Sequence, residues 1–158
     1  MNKIRVIPRL DIKGFNIIKG IHLEGLRVLG EPSSFAKKYY EHMVDEIIYH
    51  DVVASLYQRN NLSDLIKHTS ENIFLPMLVG GGITGLDQVE LILKSGADRV
   101  FLNTAVINNP SLIDKIVKKY GPPNCLVNAS YPKTKDWPKN SYKKITLKSF
   151  KENVLIHM

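Results

Sequence analysis

Four times in succession the sequence passes from a short β-favouring run to a longer stretch with helical spacing, and this alternation restricts the possible folds more than any single motif. Residues 3–12, KIRVIPRLDI, alternate faces as a strand does, and residues 31–44, EPSSFAKKYYEHMV, place an acid and a proline ahead of a helical pattern. DEIIYHDVVA (45–54) precedes the helical RNNLSDLIKHTSEN (59–72), and IFLPMLV (73–79) precedes GLDQVELILKSG (85–96). ADRVFLN (97–103) leads to PSLIDKIVKKYG (110–121), with Pro110 near the first turn and Gly121 at the end. A further short strand, NCLVNA (124–129), begins with no recognisable helix after it. Sequential units of this kind build a parallel sheet covered by helices and joined by right-handed crossovers.

Repeated to eight units, the pattern closes into a barrel, which takes about 250 residues. The 158 residues here carry about four and a half units, the half-barrel of a (β/α)8 fold. Residues 1–129 form that half. Residues 130–158 lose both the period and the glycine punctuation, and read as a basic, irregular tail of the kind a shifted reading frame leaves.

The net charge of +7 raises the question of a nucleic-acid partner, which its distribution answers. Residues 131–158 hold seven lysines against Asp136 and Glu152, so +5 of the total lies in the tail. Nucleic-acid binding needs a structured basic surface. The expectation is therefore no nucleic-acid partner. The single cysteine, Cys125, excludes an internal disulfide framework and fits a reducing compartment, with the thiol packed inertly in a strand. The N-terminal apolar patch is too short and too interrupted for a signal peptide, and no window approaches the roughly 20 apolar residues of a membrane span, so the chain reads as cytoplasmic with no membrane partner. The five histidines show no ligand spacing, and neither a metal nor another cofactor is expected.

In a barrel, chemistry sits where strands end and loops begin. Alternation along the first strand puts Arg5, Ile7, Arg9 and Asp11 on one face, taken as the interior, with Asp11 at the C-terminal exit. A carboxylate there can move protons or orient a substrate, or it can simply pair with Arg9; the spacing leaves both open. The same rule turns Glu46, Ile48 and His50 inward from the second strand, with Asp51 at its exit, and Arg99, Phe101 and Asn103 inward from the fourth. Arg5, Glu46 and Arg99 thus share the lowest interior layer. Charges so placed must pair, as a ring closing the barrel floor; whether the ring is only structural or also a gate is undetermined at this point. At the opposite end, the third strand empties into Gly80, Gly81 and Gly82. Glycines there let backbone N–H groups reach an anion, and Asn103 and Thr104 at the next strand end add side-chain donors: a phosphate cradle.

The ordered set RVIPRLDIKG, IIKG, GLRVLGEP, DEIIYHDVVAS, LPMLVGGGI and SGADRVFLNTAVINNP resembles the cyclase subunit of imidazole glycerol phosphate synthase, over Ile4 to about Val127. A two-phosphate isomerase barrel of the same pathway also has an aspartate ending its first strand, but GLRVLGEP and DVVAS favour the cyclase. The resemblance implies a lyase that takes ammonia from a glutaminase partner subunit. With it the enzyme converts a bisphosphorylated formimino-carboxamide ribonucleotide to imidazole glycerol phosphate and aminoimidazole carboxamide ribotide, in histidine biosynthesis. By resemblance, Asp11 is the first catalytic carboxylate and Lys19 the lysine of the mobile loop after strand 1. Asp51 is the acid ending strand 2. Gly81 and Gly82 fall with Asn103 and Thr104 in one phosphate site. Arg5, Glu46 and Arg99 match three of four charges in an ammonia gate, with arginine for the usual lysine at 99, and Asp98 matches a residue facing the glutaminase.

Three departures accompany the likeness. Arg9 stands where a small cysteine is usual, inside the ammonia path, which suggests a divergent branch feeding ammonia into a surface-sugar pathway. The fifth strand reads LVNAS, with Asn128 and Ser130 where a second catalytic acid is expected; Asp136, deeper in the tail, is no convincing substitute. The second phosphate site and the fourth gate charge belong to the other half of a barrel. The expectation is therefore a truncated, impaired cyclase subunit. The competing reading is a non-catalytic half-barrel that binds phosphate or associates with itself to cover its open edges.

Overall fold

The computed structural model describes residues 4–21, 25–54 and 62–127. The basic tail, the boundary near residue 129 and the positions Asn128, Ser130 and Asp136 lie outside the described residues. The elements run β1 (Arg9–Lys13), β2 (Asn16–Ile21), β3 (Gly25–Gly30), α1 (Pro32–Glu41), β4 (Ile47–Asp51), α2 (Leu62–Asn72), β5 (Met77–Gly80), α3 (Leu86–Lys94), β6 (Arg99–Leu102), α4 (Thr104–Asn108), α5 (Ser111–Tyr120), a 3₁₀ turn (Pro122–Asn124) and β7 (Cys125–Val127).

One seven-stranded sheet runs in the order β3-β2-β1-β4-β5-β6-β7. The five strands β1, β4, β5, β6 and β7 pair in parallel, each next to its predecessor, as strand–helix repetition requires. Their register places side chains in rungs. Arg9, Ile48, Leu78 and Arg99 form one rung, and Asp11, His50, Gly80 and Phe101 the next rung above it. The alternate residues Leu10, Tyr49, Val79, Val100 and Cys125 turn to the other face and are buried. There they join Ala36 of α1, Leu62, Leu65 and Ile66 of α2, Val89 and Ile92 of α3, and Leu112 and Ile116 of α5 in a continuous apolar core. Each large aliphatic side chain so buried contributes about 1.5–3 kcal/mol.

Two elements were not expected from the pattern. Asn16–Ile21 and Gly25–Gly30 pair antiparallel, β2 with β3, and extend the sheet beyond β1. The alternation of β3 is obscured by exposure: Leu26, Val28 and Leu29 remain open to solvent. Gly14, at φ 60°, supplies the left-handed conformation that the two-residue link between β1 and β2 demands. The short helix α4 fills LNTAVINNP, too brief for a helical period to register. The first strand is also shorter than its apolar run, because Pro8 has no N–H to donate and the Val6 N–H goes to the Asp45 carboxylate at 2.7 Å.

Among the described residues no helix is long and apolar enough to cross a membrane. Cys125 is buried, and burial pushes its thiol up to about 11.

Candidate functional site

At the C-terminal ends of β4, β5 and β6 the chain leaves a cleft of about 600 Å³, walled by His50 and Asp51, the turn Gly81–Gly82, Gln88 of α3, and Phe101 with Asn103 and Thr104. Parallel strands bring their exits to one edge, so positions far apart in sequence meet there. Gly81, Gly82, Asn103 and Thr104, expected together as a cradle, and Asp51, expected at its own strand's exit, all line this one cleft.

The glycines have an intrachain cause. Gly81 (φ 106°) and Gly82 (φ 66°) occupy conformations that side chains rarely adopt, and a Cβ at either would collide with the segment leaving β4: Asp51 backbone for Gly81, Ala54 for Gly82. Gly80 answers to a different neighbour. A Cβ there would lie 2.5 Å from the Phe101 carbonyl oxygen and 2.6 Å from its ring. The missing side chain lets the Phe101 ring cross the rung and meet His50 edge-on, centroids 5.3 Å apart. The triple glycine thus draws the third strand's exit against both neighbouring exits, leaving Gly81 and Gly82 on the cleft wall.

Asp51 is buried and accepts the Val53 N–H at 3.0 Å, with Ala54 N–H as a second donor. Burial, the larger effect, lifts its carboxyl above the usual range against these hydrogen bonds and the nearby His50. On the α3 side the Gln88 amide oxygen accepts from Thr84 N–H at 2.6 Å and faces its hydroxyl at 3.2 Å, fixing the path from the glycine turn into the helix. Nothing in the sequence pattern distinguished Gln88.

Asp11 resolves differently from either alternative taken alone. Arg9 reaches it with two nitrogens, Nε at 3.0 Å from Oδ1 and Nη2 at 3.1 Å from Oδ2, a bidentate clamp. The same Oδ1 lies 3.3 Å from His50 Nδ1. His50 therefore links Asp11 to the cleft it lines. Burial and the Arg9 charge, in that order, pull the His50 pKa below its usual value against the opposing effect of Asp11. Lys19 is not on a loop: it stands exposed on β2, opposite Arg27.

At the opposite end of the strands, Arg5, Glu46 and Arg99 come together through their side chains, but not in one layer as expected: Arg99 shares a rung with Arg9 and Ile48, two residues beyond Glu46. Glu46, almost wholly buried, accepts a hydrogen bond from Arg5 Nη2 at 2.9 Å on Oε2, and Arg99 Nη2 lies 2.5 Å from Oε1 as an ion pair. Asp98 is exposed, but one of its oxygens is committed: Oδ2 accepts Met77 N–H at 2.7 Å while its own N–H donates to Met77 O. Asp45 treats Val6 in the same way, so Asp98 ties down the start of β5 and Asp45 the segment that leads into β1.

The sequence has relatives among known proteins. A family model described as histidine biosynthesis protein matches residues 5–155, carrying the likeness past Val127 into the tail. The chain is 55% identical over 121 residues to imidazole glycerol phosphate synthase subunit HisF of Legionella pneumophila, covering 77% of this chain and 57% of that protein. The subunits of that name from Bifidobacterium longum and Thermococcus onnurineus are each 43% identical, over 118 and 123 residues, covering 75% and 78% of this chain and 46% and 49% of theirs. The chain thus spans about half the length of the curated relatives it matches. With a parallel sheet ordered by strand–helix repetition, a cleft at its C-terminal edge and a family match over nearly all its residues, the chain belongs to the histidine biosynthesis protein family.

Proposed function

We propose that this chain carries the first half of a cyclase subunit of imidazole glycerol phosphate synthase, using ammonia from a glutaminase partner on the bisphosphorylated formimino-carboxamide ribonucleotide. The observation that carries the reading is the convergence of Gly81, Gly82, Asn103 and Thr104 in one cleft beside Asp51. Backbone N–H groups at left-handed glycines, with an amide and a hydroxyl opposite, suit one phosphate of such a substrate. Asp11 serves the proton chemistry above that site, and Lys19 on β2 contacts the substrate from the sheet's extension. Ammonia passes the Arg5–Glu46–Arg99 cluster at the other end, where the free oxygen of Asp98 faces the glutaminase. A biosynthetic role of this kind is cytoplasmic.

The purified chain is expected to turn over the formimino substrate with ammonium salts, at the reduced rate of an impaired subunit, and inorganic phosphate is expected to shift the amide resonances of Gly81, Gly82, Asn103 and Thr104. Unmoved resonances together with no turnover would refute the assignment. A second reading, phosphate binding without turnover, is favoured by the bidentate hold of Arg9 on Asp11, which occupies the carboxylate otherwise free to move protons. Shifted resonances without turnover would select it.

A further inference from the structure

Resting on the phosphate-binding part of the cyclase reading, we propose that Asp51 is a positioning residue of the phosphate cradle. Its carboxylate holds the chain leaving β4, on which Gly81 and Gly82 are seated, and does not itself meet the phosphate. An ionised carboxylate only accepts hydrogen bonds, as a phosphate dianion does, so the two have no proton to share. Two negative charges in one cleft also repel. An acid on the wall of an anion site therefore needs another role, and its contacts supply one.

Asp51 Oδ1 accepts the N–H of Val53 at 3.0 Å, and Ala54 N–H is a second donor to the carboxylate. A side-chain oxygen bonded to the backbone two residues on turns the chain at the strand exit. The residue between is tied from the other side, because Val52 N–H donates to Ile12 O of β1 at 3.1 Å. Residues 52–54 thus commit all three N–H groups within the fold, leaving none of them for a ligand. The glycine turn rests on this segment: Asp51 O fills the place of a Cβ at Gly81, and Ala54 Cβ the place of one at Gly82. Beyond the turn, Thr84 N–H is taken by Gln88 Oε1 at 2.6 Å. Held on both flanks by side chains, the left-handed Gly81 and Gly82 present their N–H groups already ordered, so binding an anion does not carry the cost of fixing the turn.

Two measurements on the full chain test this. In the free protein the ¹⁵N order parameters of Gly81 and Gly82 are expected at the rigid-backbone level of about 0.85, unchanged in Asp51→Asn, which keeps an acceptor oxygen, and below about 0.6 in Asp51→Ala, which has none. Titration with inorganic phosphate at pH 7.5 is expected to give Asp51→Asn a Kd within about threefold of the parent or tighter, and Asp51→Ala a Kd at least about tenfold weaker. Mobile glycines in the unmutated protein would overturn the proposal. So would a folded Asp51→Asn that binds more weakly than this, which would show that the charge itself serves the ligand, or an Asp51→Ala as rigid and as tight as the parent. Should Asp51→Ala not fold, the parent order parameters and the Asp51→Asn affinity decide the matter. A parent that takes no phosphate would refute the cradle reading and this proposal with it, whereas the preceding outcomes, in a parent that binds, overturn the proposal alone.

Discussion

Glu46→Gln tests the physics of the charged cluster most directly. The side chain is 2% exposed and touches two guanidinium groups. The amide keeps its shape and one acceptor oxygen but removes the only charge that balances Arg5 and Arg99 within contact distance among the described residues. Breaking a buried pair from one side costs about 3–5 kcal/mol, because the remaining charge stays desolvated. That figure must be divided unequally. The Arg5 side chain is 46% exposed and can turn to water, so its share falls to about 0–1 kcal/mol, whereas Arg99, at 22%, has less escape. A net loss of about 2–4 kcal/mol follows. With a urea m-value of about 2 kcal/mol/M, the middle of the range for small proteins, the unfolding midpoint should drop by roughly 1–2 M in far-UV circular dichroism at pH 7. Replacing Arg99 as well, in Glu46→Gln/Arg99→Met, removes the stranded charge and should recover at least about half of the loss. A single-mutant midpoint shift under about 0.3 M, or a double mutant no better than the sum of its parts, would refute the reasoning.

Other consequences can be measured with similar means. Gly81→Ala should cost at least about 2 kcal/mol, from the left-handed backbone and the collision with Asp51 backbone, and should broaden the cleft amides; an unchanged urea midpoint would show that this turn relaxes freely. Asp51 has a raised pKa, so the fold favours its protonated form: its charge at pH 7 costs stability that returns as pH falls through the folded value toward 3.8. Asp51→Asn, which keeps an oxygen for Val53, should therefore be as stable as the parent or more so at pH 7, with any advantage vanishing below about pH 4; marked destabilisation at pH 7 would contradict this. Glu90 is held down to about 2 by Lys119 at 2.6 Å and Lys94 at 2.8 Å, so these contacts persist below pH 4.5 and disappear only as pH falls through about 2. A carboxyl ¹³C titration should show this low midpoint, and Lys119→Met should raise it; a midpoint near 4.5 in the parent protein would count against the pairing.

Local periodicity was enough to identify the parallel strands, their helices and the inward charges at 5, 46 and 99, because a side chain's face on a strand depends only on its parity. The same reasoning located Asp51, Gly81, Gly82, Asn103 and Thr104 at strand exits, and parallel pairing carries all such exits to one edge. Partnership was not local. Asp11 and His50 are 39 residues apart and meet only because the β1–β4 ladder sets them on one rung, and Phe101 reaches the imidazole only across the empty position of Gly80. The pairing of β2 with β3 was hidden for a related reason, since Leu26, Val28 and Leu29 of β3 stay in solvent and leave that strand no buried face to impose an alternating pattern. Residue type and parity assigned each side chain a face; inter-strand register, set by hydrogen bonds between distant segments, chose its height, its neighbours and hence its chemistry.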